Sequence, residues 1–132
     1  MGAQQLLLLA LGLLIVGVAI AVGIFLFTDN AIQQMRDQIQ NEMLQLSVRA
    51  RVYYRTPLNL GGGEHSFDNL TSISQLTTQA AGLNATYSLV NNGESLTLTA
   101  IGRETGADGA TPIRIVMVIL RDSAYFDESM NN

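Results

Sequence analysis

Residues Leu6–Phe27 read LLLLALGLLIVGVAIAVGIFLF and contain no charge, no proline and no side chain more polar than glycine. A helix of this length reaches about 33 Å at about 1.5 Å per residue, which matches the hydrocarbon core of a bilayer. Because the segment is apolar on every face, it must be buried all round, either in lipid or among other helices. The rest of the chain is interpreted as built onto this helix.

After this segment the polarity changes but the helical repeat continues, with no helix-breaking residue before Pro57. Apolar residues recur every three or four positions, which places them along one face of a helix. They are Ile32, Met35, Ile39, Met43, Leu46, Ala50 and Tyr53. Since proline disfavours helix at the residue before it, the helix should end near Tyr54 or Arg55. We predict one long helix whose second half seats a small domain, packs against neighbouring helices, or does both.

Small residues recur inside the apolar segment. Gly17 with Ala21, and Ala19 with Gly23, are spaced four apart, which lets helix backbones approach closely. Each glycine also weakens a helix by about 1 kcal/mol relative to alanine, so Gly12, Gly17 and Gly23 mark the part most able to stretch or melt. Glycine is, however, common in transmembrane helices generally, and both interpretations stay open.

The chain after Pro57 predicts a small α+β unit. The stretch 58–69, LNLGGGEHSFDN, is typical of a flexible loop. Thr71 or Asn69 is then expected to cap a short helix that Gly82 ends. The apolar face of this helix would be Ile73, Leu76 and Ala80.

Strand periodicity follows. Apolar residues alternate with polar ones over 85–89 and 96–100, on either side of the turn Asn91-Asn92-Gly93, which predicts a β-hairpin. Residues 113–120 are apolar at nearly every position, as expected of an inner strand with the helix on one side. The tail through Tyr125 and Phe126 is interpreted as a short edge strand or a frayed end.

The fold class predicted is therefore α+β: a long N-terminal helix with a small antiparallel three- to four-stranded sheet packed on its C-terminal half. Residues 1–28 form the hydrophobic helix, 29–56 its amphipathic continuation, and 57–132 a small globular head. A sheet of this size becomes stable when it packs on a helix.

Composition argues against several function classes. The net charge of -4 and the lack of a dense basic cluster speak against nucleic-acid binding. There are no cysteines, so neither a disulfide nor a thiolate metal site is available. Glu64 and His65 are adjacent and do not share a face, while Glu104 and Asp108 lie in a turn-rich loop without a fixed separation. We predict no enzyme activity, no catalytic residue, no metal and no cofactor.

Two N-x-[ST] sequons are present, at Asn69 and Asn84. Both fall in the predicted head, so both are candidate glycosylation sites if the chain is exported by a cell that glycosylates. Two sequons are close to the number that composition gives by chance.

The overall pattern resembles a type IV pilin or a pilin-like filament subunit: an apolar N-terminal helix, an amphipathic half ending near residue 54, a short loop helix and an antiparallel meander. In that family a basic leader is removed and the new N-terminal residue is methylated. The resemblance implies that role for Met1, if the sequence is the processed form. The family usually has a glutamate where Gln5 stands beside Gln4, and this glutamate neutralises a neighbour's amino terminus during assembly. An amide can accept a hydrogen bond there but cannot cancel the charge.

Two further family features differ. A proline is common near Val22, and without it any melting of the helix on assembly would depend on Gly12, Gly17 and Gly23. The C-terminal disulfide of many bacterial pilins has no counterpart, since the chain has no cysteine.

The resemblance implies a structural subunit of an extracellular helical filament. Its partners would be copies of itself, a membrane (inner or cytoplasmic) before assembly, and a pilus assembly machinery. Two alternatives are a pseudopilin of a secretion or DNA-uptake machine and a single-pass membrane-anchored binding domain. Abundance in sheared surface material would identify a major filament subunit, and a monomer extracted in detergent would favour the anchored domain.

Overall fold

The computed structural model describes residues 2–79, 81–82, 84–106 and 108–128. One long helix, α1, spans Gly2–Arg55. Single 3₁₀ turns follow at Leu58–Leu60 and Ile73–Gln75. Four strands complete the chain: β1 (Ala85–Asn91), β2 (Ser95–Thr105), β3 (Pro112–Leu120) and β4 (Ala124–Phe126). The predicted α+β class, with a four-stranded antiparallel sheet packed on the helix, is confirmed.

Helix α1 is continuous across the change from apolar to polar sequence. At the junction the Thr28 hydroxyl donates to the Ile24 carbonyl one turn earlier, at 3.0 Å. The helix ends at Arg55, two residues before Pro57, as predicted. Its 54 residues extend about 81 Å at about 1.5 Å per residue.

The predicted apolar face of the second half of α1 packs against the sheet. We call its four buried members, Ile39, Met43, Leu46 and Ala50, the inner stripe. Ile32, Met35 and Tyr53 are partly buried against the same core. The core that joins helix to sheet therefore begins at about residue 32, and the helix before it extends away from the head.

The sheet is an antiparallel meander in the order β1-β2-β3-β4. Leu98 of β2 lies opposite Leu89 of β1 and Met117 of β3, so alternate residues of the three strands face the helix. In β3 the residues facing the helix are all buried, as is Val116 on the opposite face. β3 is an interior strand, as its apolar sequence predicted, and β4 is the edge strand proposed at Tyr125 and Phe126.

The predicted helix after Thr71 is wrong: the described residues of this segment form only the 3₁₀ turn Ile73–Gln75. Its cap is Ser72, not Thr71 or Asn69, and Ala80 lies outside the described residues. The side-chain oxygen Oε1 of Gln75 accepts from the backbone N–H groups of Thr71 and Ser72 at 2.9 and 3.1 Å. The Ser72 hydroxyl in turn accepts from the Ser74 N–H at 3.3 Å, so the turn begins with a capping box, a motif that commonly starts a helix, but continues for one turn only.

The glycine-rich stretch, predicted as a flexible loop, instead folds back on the end of α1. The Gly63 N–H donates to the Tyr53 carbonyl at 2.9 Å, and the His65 N–H donates to the Tyr54 carbonyl at 2.7 Å. These bonds satisfy carbonyls that a helix C-terminus leaves unpaired. A Cβ at Gly63 would lie 2.0 Å from the Ser66 carbonyl oxygen, so close approach is what requires glycine here.

Candidate functional site

The first half of α1 is exposed on every face. Every residue from Gly2 to Ala31, called here the bare segment, is exposed. Large apolar side chains within it expose between 50% and 81% of their surface. Contiguous exposed apolar surface of this extent marks an interaction site or a membrane segment. By length and composition, α1 could cross a membrane near the chain's N-terminus.

The small residues of the bare segment lie in a shallow depression of the helix surface. It is lined by Leu13, Leu14, Gly17, Val18 and Ala21. A Cβ added at Gly12, Gly17 or Gly23 would meet no atom within 4 Å, and α1 is unbroken at all three. Within one copy of the described chain, then, space does not require glycine at these positions. Their predicted roles in close packing and in melting both concern an assembled state.

Two of the three residues assigned to assembly chemistry lie at the start of the bare segment. Gln4 and Gln5 lie in the first turns of α1 and are exposed. Met1, the predicted methylation site, lies outside the described residues. The two glutamines are accessible to a neighbouring chain, and the role assigned to them stays a prediction.

The two sequons have different surroundings. Asn69 is exposed, and its backbone carbonyl accepts a hydrogen bond from the Gln75 side chain at 3.1 Å. Asn84 is half-buried, and its Nδ2 donates to Glu42 Oε1 at 3.3 Å. Because a glycan would be attached to that same nitrogen, Asn69 is the more accessible of the two candidates.

The sequence did not predict the polar cleft that joins α1 to the start of β1. The Tyr87 hydroxyl donates to Glu42 Oε2, and Asn84 donates to the other oxygen of the same carboxylate. Burial, the hydrogen bond and the negative charge of Glu42 all raise the pKa of Tyr87 above its usual range. The cleft encloses about 250 Å³, and its lining also includes Arg49, whose guanidinium donates to the Leu76 carbonyl at 3.1 Å. A single carboxylate holding two donors fixes the sheet to the helix.

This contact was missed because Glu42 and Tyr87 are 45 residues apart in sequence. No local spacing could have signalled it. A glutamate on a polar helix face has the same sequence pattern whether it contacts solvent or a distant strand.

The polar residues considered for catalysis lie apart from this cleft. Glu64 and His65 are exposed, and the His65 ring contacts the edge of Tyr54 with centroids 5.6 Å apart. Asp108 accepts from the backbone N–H groups of Ala110 and Thr111, both at 3.1 Å, and thereby shapes its own loop. Within the part of the chain that the structure describes, no three His, Asp or Glu side chains gather in a way that could hold a metal.

A second apolar stripe runs along the solvent side of α1, opposite the inner stripe. It consists of Leu44, Val48 and Val52, which expose 46%, 51% and 59% of their surface. We call it the outer stripe. Its four-residue spacing is visible in the sequence, but the sequence analysis predicted only the longer apolar face that contains the inner stripe. The inner stripe already completes the core, so the outer stripe faces solvent and has no packing partner within the described chain.

Comparison with protein-family models, with curated proteins and with solved structures finds no match for this chain.

Proposed function

We propose that this protein is the structural subunit of an extracellular helical filament similar to type IV pili, and that it polymerises through its N-terminal helix. The observation that carries the proposal is the division of α1. One half is embedded in the head through the inner stripe, while the bare segment protrudes with apolar side chains on every face. This shape supports the proposal because, in a bundle of such helices, the heads would lie at the surface.

In the proposed cycle the subunit is stored in a membrane through its bare segment and is then assembled into the filament. Moving an apolar helix from lipid to a bundle of equally apolar helices changes its hydrophobic free energy little. Close packing at small residues such as Gly17 and Ala21, repeated along the polymer, must therefore favour assembly. Contacts between different surfaces of identical copies do not close, so they generate fibres.

A second function, a membrane-anchored binding domain, is favoured by the same bare segment, since one helix of this length is enough to span a bilayer. The two proposals differ in whether the segment associates with copies of itself. A pseudopilin would share the self-association and differ in abundance.

The test is electron microscopy of material sheared from cells that express the full chain, together with the mass of its N-terminal peptide. We expect filaments composed of this chain, abundant in the sheared fraction. Gly17→Leu should leave membrane insertion intact and abolish filaments, because a leucine separates the helix backbones. Val16→Leu, which enlarges an already bulky neighbour, is the matched control and should assemble. A native extract containing only detergent-bound monomers would refute the proposal and favour the anchored domain.

A further inference from the structure

The outer stripe continues into a shallow apolar cavity at the end of α1. The cavity has a volume of about 360 Å³ and lies between the helix and the glycine-rich turn. Val48, Val52, Leu60 and Leu76 contribute its apolar lining. Leu60 itself is 73% exposed. This solvent-facing side of the head thus presents an apolar surface with open space beside it.

Positive charge borders this surface without a carboxylate to balance it. Arg51 lies just before Val52 and Arg55 follows it, both on the side of the helix that carries the outer stripe, and neither has an ion-pair partner among the described residues. The Arg51 Nε is buried and has no hydrogen-bond partner in the described part of the chain. The surface therefore combines aliphatic side chains with two guanidinium groups, and the buried Nε of Arg51 has no acceptor in the described part of the chain.

The bare segment carries a surface of complementary chemistry. Val18, Val22 and Leu26 are spaced four apart and exposed, and Asp29 follows three residues later on the same face. Asp29 also has no ion-pair partner among the described residues. The outer stripe repeats this spacing, with Leu44, Val48 and Val52 followed three residues later by Arg55.

The hydrophobic and the charged positions give the same alignment of two parallel helices. A shift of 26 residues places Leu44, Val48 and Val52 opposite Val18, Val22 and Leu26. A shift of 22 residues keeps Leu44 and Val48 opposite Val22 and Leu26 and places Val52 opposite Asn30. The first shift places Asp29 opposite Arg55, and the second places it opposite Arg51. At about 1.5 Å per residue these shifts are axial offsets of about 33 to 39 Å. A much smaller shift would set the outer stripe against the polar residues around Gln34 and Gln38.

We infer that the outer stripe is the docking site for the bare segment of a second copy, offset by about 33 to 39 Å along the helix axis, with Asp29 paired to Arg51 and Arg55. This inference rests on the proposed function and names one of its interfaces. Each copy inserts its bare segment into one neighbour and accepts the bare segment of another on its outer stripe, so the contact repeats along the filament. Apolar burial supplies attraction, and the charge pair fixes the register.

Charge reversal in full-length chains tests the pairing. Asp29→Arg alone, or Arg51→Asp with Arg55→Asp, should lower the yield of sheared filaments about tenfold or more, since like charges would meet in the interface. Combining all three substitutions restores the pair and should recover most of the yield. Arg114→Asp makes the same change of charge at an exposed position of β3, on the face of the sheet turned away from α1, and should have no effect.

Cysteine cross-linking tests the register independently of any effect on folding, because the chain has no cysteine of its own. Val48→Cys combined with Leu26→Cys, or with Val22→Cys, should give covalent ladders in oxidised filaments. The paired positions are about 33 to 39 Å apart within one helix, so such links join different copies. Val48→Cys with Leu8→Cys, a shift of 40 residues, should give no ladder.

The outcomes separate the two proposals. If the parent chain forms filaments but the triple reversal does not recover and no ladder appears, the docking site is wrong and the filament subunit stands. If the parent forms no filament, both are wrong. A membrane surface is the alternative occupant of the outer stripe. Protection of Val48→Cys from thiol labelling in phosphatidylcholine–phosphatidylglycerol vesicles, without ladders in filaments, would also overturn the inference.

Discussion

Met43→Ala should weaken the packing between α1 and the sheet while leaving the helix formed. Met43 belongs to the inner stripe and is 0% exposed, whereas its neighbour Leu44 faces solvent and is 46% exposed. Truncating a buried methionine to alanine costs about 2 to 5 kcal/mol, because apolar contacts are lost and a cavity remains. Alanine is itself the best helix former, so the loss falls on the packing between α1 and the sheet.

The effect is large for a domain of this size, since small domains are stable by only about 5 to 15 kcal/mol in total. A loss of about 2 to 5 kcal/mol raises the population of molecules in which the sheet has separated from α1 about 30- to 5,000-fold. The slowest amides of β2 and β3 exchange with solvent through that opening, so their exchange should accelerate by the same factor.

The assay is amide hydrogen exchange of the full chain in detergent micelles, followed by mass spectrometry of peptides from β2 and β3. Leu44→Ala is the matched control: we expect the head's stability to change by no more than about 0.5 kcal/mol, because an exposed side chain loses little on truncation. Equal acceleration by the two variants would refute the assignment of the inner stripe as the seat of the sheet. So would acceleration confined to α1.

Two further substitutions probe single contacts of the head. Tyr87→Phe should cost about 1.5 to 3 kcal/mol at neutral pH, because it removes a hydrogen bond to the ionised Glu42. The raised pKa of Tyr87 means that the folded state holds this proton more tightly than the unfolded state. Its contribution is therefore complete below about pH 10 and declines as pH rises above that value. The measurement is thermal unfolding followed by circular dichroism between neutral and alkaline pH. The stability of the parent should decline more steeply with pH than that of Tyr87→Phe, and Tyr125→Phe, at an exposed tyrosine, is the control. Parallel stability profiles for the parent and Tyr87→Phe would contradict the role of Glu42. Gly93→Ala should cost about 1 to 2 kcal/mol in the same measurement, because Gly93 has a φ of 84° in the β1–β2 turn, and Asn92→Ala should cost less; equal losses would show that backbone strain at Gly93 is unimportant.

Local patterns in the sequence were sufficient for most of the fold. The spacing of the inner stripe predicted the face of α1 that is buried, and Pro57 predicted where the helix ends. Asn92-Gly93 predicted the hairpin, and the apolar run 113–120 predicted an interior strand. Each of these features depends on the backbone preferences of nearby residues or on a short repeat, so neighbouring residues in the chain carry the information.

Tertiary structure decided what depends on distant contacts. Residues 61–63 look flexible in sequence, yet they wrap the end of α1 because exposed carbonyls there need donors. The helix expected after Thr71 is only a single 3₁₀ turn, although Ser72 and Gln75 form the capping box that commonly starts a helix. The outer stripe is exposed because the sheet buries the inner stripe on the opposite face of α1, and only the packed structure determines which of the two faces is buried. A sequence records which residues are apolar, but only the packed chain determines which of them still lack a partner.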